Sequence, residues 1–168
     1  MRAEDIRLFP DPILRQKCLP VTAFDSNLRG MVTLLKKVLK QQSHGIGIAA
    51  PQIGLPIRLA IVDASKRDPV CSELILVNPK ILRYEEEHRS REGCMSLPDY
   101  TAELKRYTRI QIQWQDETGT VHCKDSVGIE AVCLQHEIDH LNGKLFLDRV
   151  VCFKTDMIPR EHRKLKIV

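Results

Sequence analysis

The stretch QHEIDHLNG, from Gln135 to Gly143, decides how this chain is interpreted. Two histidines four residues apart, with a glutamate directly after the first, form the H-E-x-x-H pattern. On a helix this spacing places both imidazoles on one face, where they can bind a metal ion, and leaves a carboxylate beside them to act as a base. A catalytic site of this kind usually has three protein ligands and keeps a fourth position for water, so the pattern requires a third ligand from elsewhere.

The neighbouring residues predict the helix that this pattern needs. Ser126 is a suitable N-cap, residues 128–142 have helical character, and Gly143 is placed to end the helix. At steps of three and four residues, one stripe of this helix is formed by Ile129, Val132, Cys133, His136 and His140. The two histidines are therefore expected to face the core.

Three positions are candidates for the third ligand. The longer metalloprotease pattern H-E-x-x-H-x-x-G-x-x-H is followed as far as Gly143, but its last position is Phe146, which cannot bind a metal. Glu161 lies at about the separation from the histidines at which other zinc peptidases place a ligating glutamate. Cys94, in the segment REGCMSLPD, offers a thiolate directly after Gly93, a residue that permits a tight turn. Spacing alone leaves Glu161 and Cys94 both open.

A second segment, GIGIAAPQ from Gly45 to Gln52, has the composition of a loop built for close approach of a ligand. Its two glycines and two alanines leave room against the backbone, Pro51 stiffens the turn, and Gln52 offers a side-chain amide. A helix C-cap followed by a linker is the alternative interpretation of this segment.

The bulk composition indicates one domain over residues 1–168, with 43% hydrophobic and 29% charged residues. A net charge of +4 is too small to indicate a nucleic-acid-binding protein, and no apolar run has the length of a membrane span. The first residues, MRAEDIRLFPDP, lack the apolar core of a signal peptide, so a cytoplasmic location is expected. Six cysteines without a C-x-x-C pair are expected to be reduced thiols.

The expected fold is α+β, with mixed or antiparallel β-sheets packed around the central metal-binding helix. Residues 27–42 predict an N-terminal amphipathic helix, for which Asp25 or Ser26 is the N-cap. Strands are predicted at IRLAIVD, at LILVNP with Pro79 as its end, in the following segment up to Tyr84, at RIQIQWQDE, and at TVHCK as the second arm of a hairpin. The last fifteen residues are expected to form a short, basic, partly helical tail.

Taken together, GIGIAAPQ, EGCMS and QHEIDHLNG resemble the three signature motifs of the peptide deformylases, in the same order and at similar separations. The likeness extends to PDPILR near the start and to VNP at the end of a predicted strand. The resemblance implies that Cys94, His136 and His140 hold the metal, with water in the fourth position. It also implies that Glu137 is the general base and then the acid. The side-chain amide of Gln52 and the backbone N–H of Met95 would stabilise the oxyanion.

The same resemblance implies a metal and a substrate. The resemblance implies Fe²⁺ as the metal in the cell. Ni²⁺, Co²⁺ or Zn²⁺ can substitute, because the geometry of a Cys-His-His ligand set does not discriminate among these ions. The implied substrate is the N-formyl-methionine end of new polypeptides, and the basic tail could contact the ribosome. The expected pocket for the methionine side chain is formed by Ile46, Gly47, Ile129, Val132 and Cys133.

Two other functions remain open at this point. A zinc endopeptidase with Glu161 as the third ligand would not need Cys94 for its metal. A non-catalytic, metal-stabilised module would close the site with a fourth protein ligand, and it would have no need of Glu137 between the histidines.

Overall fold

The computed structural model describes residues 6–160 of the chain. The α-helices of this part of the chain are α1 (Ser26–Lys40), α2 (Gly128–Leu141) and the short α3 (Phe153–Asp156). The strands are β1 (Gly47–Ala49), β2 (Leu59–Val62), β3 (Leu74–Cys94), β4 (Leu97–Gln115), β5 (Val121–Val127) and β6 (Met157–Pro159). They form one six-stranded sheet in the order β1-β2-β3-β4-β5, and β6 pairs with β4. All of these strand pairs are antiparallel, which confirms the α+β class and the antiparallel pairing.

Helix α1 begins where the sequence predicts, because Asp25 caps it. The Asp25 carboxylate accepts hydrogen bonds from the backbone N–H groups of Asn27 at 3.0 Å and Leu28 at 3.1 Å, which satisfies two of the unpaired donors of the first turn. The buried side of the helix consists of Leu28, Val32, Leu35, Val38 and Leu39. The predicted amphipathic helix is therefore confirmed.

The short strand β2 lies between the two long helices. Its four residues are all buried, and their side chains alternate between the two faces of the sheet. Leu59 and Ile61 belong to the apolar cluster that contains the buried face of α1. Ala60 and Val62 belong to the cluster that contains residues of α2. The sheet thus separates the two helices, and α2 has core packing along most of its length.

The expectation that Pro79 ends a strand is wrong, because β3 continues to Cys94. The pairing with β4 shifts register between Val77 and Lys80, as in a β-bulge, so the missing N–H of Pro79 does not interrupt the strand. Asn78 has a φ of 51°, a conformation that asparagine tolerates better than most residues. Its side chain holds the bulge in place through hydrogen bonds to both backbone groups of Val21.

The strand predicted up to Tyr84 is likewise too short, since β3 and β4 pair as far as Cys94 and Leu97 and form one long hairpin. The turn of this hairpin brings Cys94 to the end of β3. Near the same end, β6 adds to β4 at Tyr100, Thr101 and Ala102.

The two ends of α2 were predicted with different success. The prediction of Ser126 as the N-cap is wrong: the cap position is Val127, and the Ser126 hydroxyl instead donates to Glu130 Oε1 at 2.7 Å. Gly143 ends the helix as predicted, with a φ of 70°. A Cβ at this position would also lie 2.5 Å from the carbonyl oxygen of Arg15, so glycine is needed for two reasons.

The tail is described only up to Arg160. This part consists of the single helical turn α3, which agrees with the prediction of a partly helical tail, followed by the strand β6, which was not predicted. Glu161 and the basic residues after it lie outside the described residues. Within residues 6–160, no helix has both the length and the apolar character needed to cross a membrane.

Candidate metal centre and active site

Three metal-binding side chains meet where the turn of the β3–β4 hairpin packs against α2. One ligand atom each from Cys94, His136 and His140 lies within 4.8 Å of the other two. The Cys94 Sγ atom is 3.3 Å from Nε2 of His140. His136 and His140 are one helical turn apart on α2, as the H-E-x-x-H pattern predicts. This arrangement brings together the set that the resemblance implied.

The electrostatics of the three residues suit a cation. Burial alone would raise the pKa of the Cys94 thiol, but the charge of His140 and hydrogen bonds from both histidines outweigh it and hold the pKa well below the ordinary value. The thiolate is the form that binds metals. One thiolate and two imidazoles are a donor set that divalent iron, nickel, cobalt and zinc all accept, so the residues fit a single divalent ion.

A buried carboxylate orients the first histidine. Nδ1 of His136 donates to Glu92 Oε2 at 2.8 Å, which leaves Nε2 as the ligand atom of that ring. Arg106 in turn donates to Glu92 Oε1 and Oε2 at 2.7 and 3.0 Å. Burial raises the pKa of Glu92, but the hydrogen bonds from His136 and Arg106 lower it to about 2, so the carboxylate is ionised at neutral pH.

Glu137 lies beside the ligands with one oxygen unpaired. Its side chain is buried, and Oε2 has no hydrogen-bond partner within residues 6–160. Burial raises the pKa of Glu137 to about 7, although the neighbouring His136 and His140 act in the opposite direction. A carboxyl group with such a pKa can both accept and return a proton near neutral pH.

Gln52 is buried and has a fixed orientation. Its Oε1 accepts the N–H of Ala49 at 2.9 Å, which directs the amide nitrogen toward the hairpin turn. That nitrogen donates to Ser96 Oγ at 3.1 Å and lies 3.6 Å from Cys94 Sγ. The amide therefore presents its N–H groups to the same space as the three ligands.

The glycine loop was predicted to allow close approach of a ligand. In the structure, the groups that closely approach Gly47 are side chains of the protein itself. At Gly47 in β1, a Cβ would lie 2.5 Å from Glu137 Oε1 and 2.6 Å from Cys133 Sγ. Any other residue would push Glu137 away from the ligands. Glycine at this position thus lets β1 pack directly against the metal-binding face of α2.

One cavity of about 470 Å³ contains nearly all of the residues predicted from the sequence. Its lining includes Ile46, Gly47, Gln52, Cys94, Met95, Ile129, Val132, Cys133, His136 and Glu137. His140 does not line the cavity and is 1% exposed, so it approaches the site from inside the core. The position of each residue is thereby established, while the roles assigned to them remain predictions.

Sequence reasoning missed three residues of this site. Glu92 stands in the quoted motif EGCMS, two positions before Cys94, but no role was assigned to it. Ser96, in the same motif, accepts a hydrogen bond from the side-chain amide of Gln52. No local pattern distinguishes Arg106, because it reaches Glu92 only through the pairing of β3 with β4.

A thiolate and two imidazoles that can hold one ion, beside a buried carboxylate that lines the cavity, are the side chains that a metal-dependent hydrolase requires. The family model for polypeptide deformylase matches residues 3–156. The chain therefore belongs to the polypeptide deformylase family, and it is an amidohydrolase of the peptide deformylase type.

Relatives and solved structures agree with this assignment. The peptide deformylase of Rhizobium meliloti is 39% identical over 165 residues, which are 98% of this chain and 94% of that protein. The peptide deformylase of Heliobacterium modesticaldum is 41% identical over 150 residues, or 89% of this chain and 95% of that protein. The crystal structure of the Thermotoga maritima peptide deformylase has a TM-score of 0.81 at 35% identity and covers 88% of this chain and 97% of its own.

Proposed function

We propose that this cavity hydrolyses the formyl group from the N-terminal formyl-methionine of newly made polypeptides and releases formate, with Glu137 as the base. The observation that carries this proposal is the unpaired, buried Oε2 of Glu137 in the cavity that Cys94 and His136 also line. Cys94, His136 and His140 would hold one divalent ion. When bound, that ion would supply Lewis-acid chemistry, which acidifies a water molecule and polarises the formyl carbonyl.

Glu137 has the proton-transfer role in this proposal. Its Oε2 takes a proton from the attacking water, and the resulting carboxyl group then donates the proton to the leaving nitrogen of the methionine. The water oxygen forms the new bond to the formyl carbon, and the carbon–nitrogen bond of the formamide breaks. A pKa raised to about 7 supports both halves of this cycle at neutral pH.

Gln52 and Met95 would stabilise the negative charge that develops on the formyl oxygen. The Gln52 amide is oriented before the substrate arrives, since Ala49 and Ser96 hold it from two sides. Preorganised donors of this kind stabilise a transition state without a cost of reorientation. Met95 follows Cys94 in the hairpin turn and lines the cavity, so its backbone N–H is the second donor in this proposal.

The methionine side chain would occupy the apolar part of the cavity, which Ile46, Gly47, Ile129, Val132 and Cys133 line. An unbranched thioether is a flexible apolar group that suits such a pocket. We further propose that Fe²⁺ is the cellular metal, that residues 1–168 act as one catalytic domain in the cytoplasm, and that the basic C-terminal segment contacts the ribosome.

The test is release of formate from a formyl-methionyl peptide by anaerobically purified protein loaded with Fe²⁺ or Ni²⁺. Substitution Glu137→Gln should lower kcat by about 10²–10⁴-fold, the usual contribution of a positioned acid–base group. Metal content should stay the same, because Glu137 is not a ligand in this proposal. Glu130→Gln makes the same change two turns earlier on α2, outside the cavity lining, and should retain activity.

Chelation and a ligand variant complete the test. A chelator should abolish formate release, and added Ni²⁺ should restore it. Cys94→Ala should lose the metal, whereas an endopeptidase that uses Glu161 would keep it. Folded, fully metallated protein that releases no formate would contradict the proposed function.

A further inference from the structure

The charged residues that line the cavity fall into two groups of opposite sign. The two carboxylates, Glu92 and Glu137, are both buried. The three arginines, Arg67, Arg91 and Arg160, are all exposed. The cavity thus combines an acidic interior, which suits a metal ion, with positive charge where its lining meets solvent.

These arginines reach the cavity from three separate segments. Arg67 follows β2, and Arg91 stands three residues before Cys94 on β3. Arg160 directly follows β6, and its backbone N–H donates to the carbonyl oxygen of Asp99 at 2.8 Å. Its guanidinium lies against Gly93, which has no side chain to exclude it. The pairing of β6 with β4 is therefore what brings Arg160 next to the hairpin turn that carries Cys94.

None of the three guanidinium groups is ion-paired with a carboxylate of residues 6–160. Arg91 donates to the neutral hydroxyl of Thr101 at 3.1 Å. By contrast, Arg89, two residues earlier on the same strand, lies 3.9 Å from Glu103 and 3.1 Å from Asp156. Among the described residues, the positive charge beside the cavity thus has no carboxylate partner, while that of a near neighbour is paired with two carboxylates.

We propose that Arg67, Arg91 and Arg160 form a subsite for acidic side chains in the substrate, at the first residues after the formyl-methionine. This inference rests on the proposed function, because that reaction fixes the direction of the peptide. The formyl group lies at the ligands and the methionine side chain in the apolar pocket, so the following residues leave through the part of the cavity that meets solvent. Guanidinium groups bind carboxylates in a geometry that neutral amides do not match.

The test compares two isosteric substrates with amidated C-termini, formyl-Met-Asp-Glu and formyl-Met-Asn-Gln, on the Ni²⁺-loaded enzyme. At low ionic strength we expect kcat/KM to be about three- to tenfold higher for the acidic peptide, the range that a few exposed ion pairs supply. The difference should lie in KM, since the contacts are the same in the ground state and the transition state. Salt near ~1 M, where the screening length is about 3 Å, should remove most of it.

Variants locate the effect. Arg67→Gln, Arg91→Gln and Arg160→Gln should each reduce the ratio of kcat/KM between the acidic and the amide peptide, and the triple variant should bring it close to one. Arg160→Lys should retain part of the preference, because it keeps the charge but not the planar fork. Arg29→Gln is the matched control, since Arg29 is an exposed arginine of α1 outside the cavity and should leave the ratio unchanged.

The outcomes separate this inference from the proposed function. If formyl-Met-Asn-Gln is deformylated and the acidic peptide shows no advantage at low salt, the subsite proposal is wrong and the proposed function stands. A preference that survives in the triple variant also overturns the subsite. If neither peptide releases formate, the proposed function fails and the subsite fails with it.

Discussion

Lys105 and Arg106 are neighbours on β4, and each is ion-paired with a residue of β3, but their side chains lie in different surroundings. Arg106 is 1% exposed and contacts two buried carboxylates, Glu92 at 2.7 Å and Asp139 at 2.6 Å. Lys105 is 63% exposed and lies 3.1 Å from Glu87, itself 42% exposed. Successive residues of a strand point to opposite faces of the sheet, so one pair supports the metal centre and the other meets solvent. The same kind of contact is expected to have very different consequences in the two places.

The group around Arg106, called here the charge cluster, consists of Glu92, Arg106, Asp139 and Arg149. Arg149 donates to both oxygens of Asp139, at 2.5 and 2.6 Å. Glu92, Arg106 and Asp139 are buried and Arg149 is 40% exposed, so each buried charge of the cluster has a partner of opposite sign. Through Arg106 of β4, it connects β3, which carries Cys94 and Glu92, with α2, which carries His136 and His140.

The largest expected effect follows from breaking this cluster. Arg106→Leu leaves the carboxylates of Glu92 and Asp139 buried with fewer partners, and loss of one member of a buried pair typically costs about 3–5 kcal/mol of stability. The measurement is the free energy of unfolding of the metal-free protein in urea. Arg109→Leu is the control, because Arg109 is an exposed arginine of the same strand, and it should cost under about 1 kcal/mol. Similar losses for both variants would contradict the comparison.

The second prediction concerns the metal rather than the fold. Glu92→Gln weakens the hydrogen bond that orients His136 and places an amide next to Arg106, and changes of this kind usually lower metal affinity by about 10–100-fold. Competition with a coloured chelator measures this affinity. Glu103→Gln makes the same change in an exposed carboxylate of β4, near Arg89, and should leave affinity unchanged. Equal affinity in the two variants would show that Glu92 does not orient the ligand.

These two regions also explain how much could be predicted from the sequence. The ligands His136 and His140 come from a local pattern, and α1 follows from its cap and its apolar stripe. The β3–β4 hairpin was missed because residues 85–91 are almost all charged and have no apolar alternation. Cross-strand contacts such as the ion pair between Glu87 and Lys105 stabilise this part of the hairpin. The two residues of such a pair are far apart in the sequence, so a local pattern does not reveal them.

The missed hairpin accounts for the missed site residues as well. Glu92 and Arg106 meet only across β3 and β4, so their contact could not be predicted without the full length of those strands. Arg160 reaches the cavity through β6, in a segment that was expected to be partly helical. The positions of candidate site residues that belong to a motif were thus predictable, whereas those of residues that depend on strand pairing were not.

The third prediction concerns Asp156, whose side chain is 11% exposed and is therefore intermediate in exposure between Arg106 and Lys105. The backbone N–H of Cys152 holds the pKa of Asp156 below its ordinary value, burial opposes this, and Thr155 and Arg89 contribute to the lowering. A carboxylate with a lowered pKa in the folded state stabilises the fold above the pKa of the unfolded chain, and this contribution is lost as the pH falls.

Asp156→Asn should therefore be less stable than the original protein near neutral pH. The difference should begin to shrink as the pH falls below about 4, the ordinary pKa of an aspartate. It should be lost below the lowered pKa of the folded state, where Asp156 is uncharged in both the folded and the unfolded protein. Urea unfolding at a series of pH values measures it, with Asp125→Asn as a control in an exposed aspartate 4.0 Å from Arg83. A difference that does not change with pH would contradict the role of the charge.

The smallest effect is expected at the Lys105–Glu87 pair, and its measurement sharpens the comparison with Arg106. In a double-mutant cycle of Lys105→Ala and Glu87→Ala, the coupling energy should be about 0.2–1 kcal/mol, as for other exposed pairs. It should fall further in salt near ~1 M, since exposed charges are screened. A coupling energy of several kcal/mol would mean that the pair is shielded from solvent in a way its exposure does not suggest. Lys105 and Arg106 are neighbours on β4 and both are paired with a residue of β3, so their places along the strand cannot account for a large loss at Arg106 beside a small coupling energy at Lys105. The burial of Arg106 and its second partner, Asp139, account for it.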